Sequence, residues 1–376
     1  MLRLTLFLLL ILPTTSLAQA EKSFPPGRHG KGELTYIHGV PVLTVKGTPT
    51  EMGEQFGKLA VAGAPDLNGL LARFLHDSKQ TERYPLIATL ARSLKSNIPP
   101  HLGEELACAG KVGERDEASM LFANMVADLS SGLGCSTLVI EKERSKTGAP
   151  LFGRNFDWQP TKGLTEHTLV VVYKGEGKRA FAAVTFTPIT GVISGMNDAG
   201  LCVTINEIHL RQSRDKSKFN WKGTPLLYVF RRVLEECGSI EEAEKFLRNL
   251  PRTTSCCMTL CDRNGGAVFE MTPTNLEVRP GVNGVDCCTN HFRTDKLCTE
   301  KKCWRYDLLS PLQSNEAKLG VAEVFSYLDK VNQGKSTLQS MVFEPGDRIL
   351  NLAYGEGPAT KLAAKRLELG KLFDAK

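Results

Sequence analysis

The chain changes character at one peptide bond. Residues 21–134 carry apolar positions mainly at helical spacing, and short β-branched runs take over from Cys135 onward. Residues 136–140 are small and β-branched, as a buried strand requires. Residues 142–149 are polar and contain Gly148, which suits a hairpin turn. A second strand resumes at 150–155, and Arg154 and Asp157 stand three apart where it ends. A cysteine that opens one strand, with an arginine and an aspartate on its partner, is a compact catalytic arrangement once the cysteine has a free amino group.

Around this switch the remaining elements follow from periodicity. Residues 35–45 alternate as a strand or two about Gly39. Next, Thr48 or Thr50 caps a helix with Pro49 in its first turn and Glu51 at its positive end. Gly53 and Gly57 lie four apart on one face of that helix, a spacing that lets another backbone approach. Helices are predicted at 67–74, 86–94, 101–110 and 116–129. Strands follow at 168–173, 181–186, 191–196 and 201–206, then a helix pair at 224–236 and 240–249. Strands return at 257–261, 267–272, 276–280 and 285–289, helices at 304–312 and 321–331, and strands at 338–343 and 349–354. Strand runs separated by helix pairs imply an α+β protein of sheets covered by helices.

The first twenty residues read as a leader. Arg3 supplies the positive end, residues 6–12 the apolar run, and Ala18-Gln19-Ala20 a small-residue cleavage site. That run is too short to span a bilayer, and no later stretch is apolar enough. The expected product is exported, secreted or periplasmic, without a transmembrane segment. A net charge of +6, spread without a dense basic block, argues against nucleic acid as a partner. The eleven cysteines form no C-x-x-C pair, so no metal site is expected. Export permits disulfides; Cys298 and Cys303 bracket a short polar segment that a bridge can close. An odd count leaves a thiol over, and Cys135 is the candidate.

Several motifs fall in one order along the chain. They are Gly47-Thr48-Pro49 with Gly53 and Gly57, then Glu104-Glu105-Leu106-Ala107 and Asn124 ahead of Gly134-Cys135. Gly153-Arg154-Asn155-Phe156-Asp157 follows, then Gly195-Met196-Asn197-Asp198-Ala199-Gly200-Leu201 with Thr204-Ile205-Asn206-Glu207. Thr289-Asn290-His291-Phe292 and Trp304-Arg305-Tyr306 complete the set. Together they resemble the N-terminal-nucleophile (Ntn) hydrolases of the isopenicillin-N acyltransferase type, a group related to acid ceramidase, N-acylethanolamine amidase and the choloylglycine hydrolases. The resemblance implies a four-layer αββα fold and a precursor that cuts itself before Cys135. The implied parts are a leader at 1–20, a mainly helical pro-segment at 21–134 and a catalytic domain at 135–376.

The resemblance also assigns roles. Cys135 is the nucleophile, and its freed amino group is the base. Asp157 orients that amino group, and Arg154 lowers the thiol's pKa and holds the carboxylate. Asn206 and Asn290 are candidate oxyanion donors, and Arg305 anchors the site. A surface arginine on a helix is an equally good reading of Arg305. Glu207 either assists self-cleavage or lies at the surface, with the surface preferred. Asn197 reads as a turn residue, and His291 as a packing neighbour. The expected activity is hydrolysis of a linear amide, an N-acylated amine, without a cofactor, the two cut pieces staying together. Alternatives are acyl transfer to an amine, an uncut binding module, and a disulfide-rich structural protein.

Overall fold

A computed structural model describes residues 23–130, 132–208, 213–299 and 302–375. The expected leader lies outside the described residues. The strands are β1 (Gly27–His29), β2 (Gly32–Ile37), β3 (Val40–Gly47), β4 (Gly134–Ile140), β5 (Leu151–Asp157), β6 (Thr168–Gly175), β7 (Phe181–Phe186) and β8 (Ser194–Asn197). They continue as β9 (Cys202–Glu207), β10 (Cys256–Cys261), β11 (Gly266–Met271), β12 (Leu276–Pro280), β13 (Val285–Cys288), β14 (Thr337–Glu344), β15 (Ile349–Tyr354) and β16 (Lys365–Glu368). The helices before the switch are α1 (Pro49–Phe56), α2 (Leu67–Asp77), α3 (Tyr84–Leu94), α4 (Pro100–Val112), α5 (Glu117–Asn124) and α6 (Val126–Leu129). Those after it are α7 (Leu226–Glu236), α8 (Ile240–Arg248), α9 (Trp304–Leu309), α10 (Val321–Lys330) and α11 (Leu369–Asp374).

Among the described residues the strands make two sheets. The larger has ten in the order β1-β2-β3-β6-β7-β8-β9-β10-β11-β12, and the smaller six in the order β13-β4-β5-β14-β15-β16. Alternation along each strand sends one set of side chains between the sheets and the other outward. Val42, Val170, Val172, Val184 and Met196 of the larger sheet meet Val139, Phe152, Met341, Phe343 and Leu352 of the smaller in one inner cluster. The outer face of the larger sheet packs on residues of α1–α8, and that of the smaller on α9 and α10. The layers are therefore helix, sheet, sheet, helix.

The segment before the switch is woven into this body. Its strands β1–β3 extend the larger sheet, with β3 parallel to β6. Thr48 proves to be the cap of α1, in a reciprocal box with Glu51. Gly53 and Gly57 pack against α4: a Cβ on either would lie 2.5 Å from Glu105 O or 2.7 Å from Ala109 O. On α4, Glu105 forms a bidentate pair with Arg231 of α7, at 2.7 and 2.5 Å, with both side chains 1% exposed. No helix in the described residues is long and apolar enough to cross a membrane. The expected Cys298–Cys303 bridge is absent, because Cys303 carries a free thiol that hydrogen-bonds Thr289 Oγ1 at 3.5 Å.

Candidate active site

Strand pairing decides where each candidate side chain points. In the β4–β5 ladder Cys135 lies opposite Phe156, Thr137 opposite Arg154, and Gly134 opposite Asp157. Directly opposed residues share a face. Cys135, Thr137 and Arg154 therefore point toward the larger sheet, and Asp157 points away from it. The expectation that Arg154 holds the Asp157 carboxylate fails for this reason: residues three apart on a strand lie on opposite faces. Arg154 instead crosses between the sheets and donates through Nη1 to Ile205 O at 2.6 Å. Its Nε and Nη2 are buried without a partner among the described residues.

Asp157 accepts from Thr337 Oγ1 at 2.6 Å and from Gln333 Nε2 at 2.7 Å, with Arg305 Nη1 at 3.8 Å. Burial pushes its carboxyl above the usual range, and the two hydrogen bonds pull it part of the way back. Gly134 completes this corner. A Cβ there would lie 2.2 Å from Gln333 Nε2, so a larger residue would displace the side chain that holds Asp157.

Arg305 is no surface residue. It is 7% exposed and donates through Nη1 to Cys135 O at 2.5 Å and Ser136 Oγ at 3.2 Å, and through Nη2 to Asn290 Oδ1 at 2.9 Å. Asn290 Oδ1 also accepts the Cys135 N–H at 2.8 Å. Its Nδ2 donates to Leu133 O at 3.1 Å and Glu207 O at 2.9 Å. Asn206 lies in the inner layer, where Oδ1 accepts from Thr137 Oγ1 at 3.1 Å and Nδ2 is buried without a partner among the described residues.

Cys135 itself is fully buried. Burial pushes its thiol up to about 11, outweighing the downward pull of Arg154. The lowered thiol expected from Arg154 is therefore not found in this structure. Glu207, expected at the surface, is buried at the end of β9 and accepts the N–H groups of Gly132 at 3.2 Å and Leu133 at 2.7 Å. Burial pushes its carboxyl up to about 7. Asn197 does serve a turn: Oδ1 accepts from Ala199 and Leu201 N–H, and Nδ2 ties the turn to the end of α7.

A cleft of about 280 Å³ opens onto this group, lined by Gly132, Leu133, Gly134, Asp157, Asn290 and Arg305 among others. Trp158 stands between it and a narrow apolar slot walled by Leu67, Leu70, Phe74, Phe122 and Phe186. Sequence reasoning missed Gln333 and Thr337, which carry no motif. Only the pairing of Thr337 with Asp157 in the β5–β14 ladder brings them in. Among the described residues no cluster of three or more His, Cys, Asp or Glu is arranged to hold a metal ion.

The sequence profile of acyl-coenzyme A:6-aminopenicillanic acid acyl-transferase matches residues 143–357. The chain belongs to that family. It is accordingly an Ntn-type protein, and the match spans Arg154, Asp157, Asn206, Asn290 and Arg305 but begins after Cys135. No curated protein matches the chain. Solved structures similar to it include a Caenorhabditis elegans N-acylethanolamine-hydrolyzing acid amidase ortholog, at 20% identity and TM-score 0.44 over 56% of this chain and 93% of that one. A mutant conjugated bile acid hydrolase from Clostridium perfringens is 16% identical, with TM-score 0.47 over 63% of this chain and 93% of that one. Penicillin V acylase from Agrobacterium tumefaciens is 15% identical, with TM-score 0.42 over 63% and 92%. The fold assignment rests on the chain's own two sheets and on the family match.

Proposed function

We propose that the chain is a precursor that cuts itself between Gly134 and Cys135 and then hydrolyses linear amides. The observation that carries this reading is that three separate parts of the chain meet at Gly134 and Cys135: Asn290 accepts the Cys135 N–H, Arg305 donates to the Cys135 carbonyl, and Asp157 lies opposite Gly134. The Cys135 sulfur attacks the Gly134 carbonyl carbon. The C–N bond breaks, the thiol proton passes to the departing nitrogen, and a thioester remains for water to hydrolyse. The new α-amino group, with a reference pKa of roughly 7.7–8.0, then takes and returns protons near neutrality. Asp157 holds this ammonium in position, and Arg305 fixes the Cys135 carbonyl.

In the mature enzyme Cys135 attacks the substrate carbonyl and the amine leaves with a proton. Departure of Leu133 frees one N–H of Asn290, and Asn206 carries a buried N–H pair of its own; both are oxyanion donors in this reading. The apolar slot beside Trp158 suits a hydrophobic acyl group. Residues 1–20 direct export, and the pieces 21–134 and 135–376 remain associated.

Acyl transfer is the second reading, favoured by the acyl-transferase description of the matched family. An amine then intercepts the thioester in place of water. N-terminal sequencing of purified protein tests the first step: a new terminus at Cys135 supports it, and a single uncut chain sinks it. Product analysis with and without an amine acceptor separates hydrolysis from transfer.

A further inference from the structure

Eleven cysteines are present, and the chemistry above uses one. Strand register sorts the others. Cys257 lies opposite Asn206 in the β9–β10 ladder, and Cys288 opposite Thr137 in the β4–β13 ladder. Directly opposed residues share a face. Asn206 and Thr137 face each other across the gap between the sheets and are hydrogen-bonded at 3.1 Å. Cys257 and Cys288 therefore face each other across the same gap, one strand further out.

Three observations bring the two sulfurs together. Both residues are buried, in one small cluster with Ile208, Val268 and Phe292. The sheets converge here. Stacked sheets usually lie about 10 Å apart, but Cα atoms of β4 and β9, and of β11 and β13, come within 8 Å. The two thiols, both free in this structure, also influence each other directly. Burial pushes both thiols up; for Cys288 the neighbouring Cys257 side chain, with the Arg279 charge, more than offsets it and leaves the thiol below its ordinary value. The adjacent cysteines point elsewhere. Cys256 packs in the cluster under the helices of the larger sheet, and Cys287 in the cluster outside the smaller one.

We propose that Cys257 and Cys288 form a disulfide that latches the two sheets together beside Asn206. The oxidant is a low-molecular-weight disulfide such as glutathione disulfide. The Cys288 thiolate attacks one of its sulfurs, breaking that S–S bond and releasing one glutathione thiol. Cys257 loses its proton and attacks Cys288 in the mixed disulfide, releasing the second. Two protons and two electrons leave the protein, and the oxidant is reduced to two thiols. Both sulfurs are enclosed, so exchange runs through opening of β13, the edge strand of its sheet. The latch is independent of the chemistry at Cys135.

The purified full chain is incubated with glutathione disulfide, blocked with iodoacetamide and digested with trypsin without reductant. Peptides 253–263 and 264–293 should appear joined, and fragmentation should place the bond between Cys257 and Cys288. Cys257→Ala and Cys288→Ala should each abolish the joined species, while Cys256→Ala and Cys287→Ala keep it. Dithiothreitol should lower the melting midpoint of the oxidised wild type by on the order of 5 °C. It should leave that of Cys288→Ala unmoved. Absence of the joined peptides, their persistence in Cys257→Ala, or a bond to Cys256, Cys261 or Cys298 instead would overturn the proposal.

Discussion

Asn290 accepts the backbone N–H of Cys135 at 2.8 Å through Oδ1 and holds the Leu133 carbonyl at 3.1 Å through Nδ2. One side chain thus spans the bond that the proposed self-cleavage breaks. Its donor is occupied by Leu133 in this structure, and the proposed cut would release it. The same amide is therefore suited to hold the precursor and later to stabilise a substrate oxyanion.

Asn290→Ala is expected to lower amide turnover by roughly 10²–10³-fold, as for loss of one oxyanion donor. The comparison is made on protein that has completed its cut, with kcat as the readout. Wild-type kcat in that variant would remove Asn290 from the chemistry.

Cys135→Ala is expected to stay as one chain without activity. Cys135→Ser keeps a weaker nucleophile and is expected to cut slowly while losing at least about 10²–10⁴-fold in hydrolysis. Intact mass and an amide assay read both. A Cys135→Ala chain that is still cut between 134 and 135 refutes the nucleophile assignment.

Arg154→Ala and Asp157→Ala should both fold, by circular dichroism, and both should process slowly, for different reasons. In the proposed mechanism Asp157, on the outer face of β5, acts on the amino group, and Arg154, on the inner face, acts on the sulfur. Densitometry of cut and uncut chain over time checks this. Unaltered cleavage and hydrolysis in both would take them out of the site.

Glu207 gives the uncut chain a pH signature. Its carboxyl is raised from 4.5 to about 7 by burial. Between those values the folded chain holds a proton that the unfolded chain has lost. Stability from this group is therefore fully present below pH 4.5 and falls as pH rises through 7, by on the order of 3 kcal/mol. Glu207→Gln, made in the uncut Cys135→Ala chain, should flatten the fall in melting temperature between pH 4.5 and 7.5. An unchanged slope in that variant would mean that Glu207 is ionised throughout.

The pair Glu105–Arg231 joins α4 to α7, and so the proposed pro-segment to the rest of the chain. Glu105→Ala leaves the Arg231 charge buried with Glu235 as its remaining carboxylate, and is expected to cost about 3–5 kcal/mol. Thermal melts read the loss, and size-exclusion chromatography of cut protein reads release of the smaller piece. A melt equal to wild type, with both pieces still together, would show that β1–β3 and the apolar faces suffice.

The elements were legible because their signals are local. The helical period of 67–74, the capping residues around Pro49 and the β-branched run after Cys135 each act within a few residues. The ordered motifs likewise pointed to Cys135, Asp157, Asn290 and Arg305. The sequence by itself thus determined an α+β chain of covered sheets and nominated the groups at its centre. Tertiary structure alone decided how those groups are used. Strand alternation puts Arg154 and Asp157 on opposite faces of β5, and register then brought Arg154 to the Ile205 carbonyl and Asp157 to Thr337. Packing buried Glu207 and Arg305, both of which read as well or better at the surface, and brought Gln333 and Thr337 to Asp157. The physical reason is that periodicity records which way a side chain leans from its own backbone. What it meets there depends on ladder register and layer spacing, which residues far apart in sequence fix together.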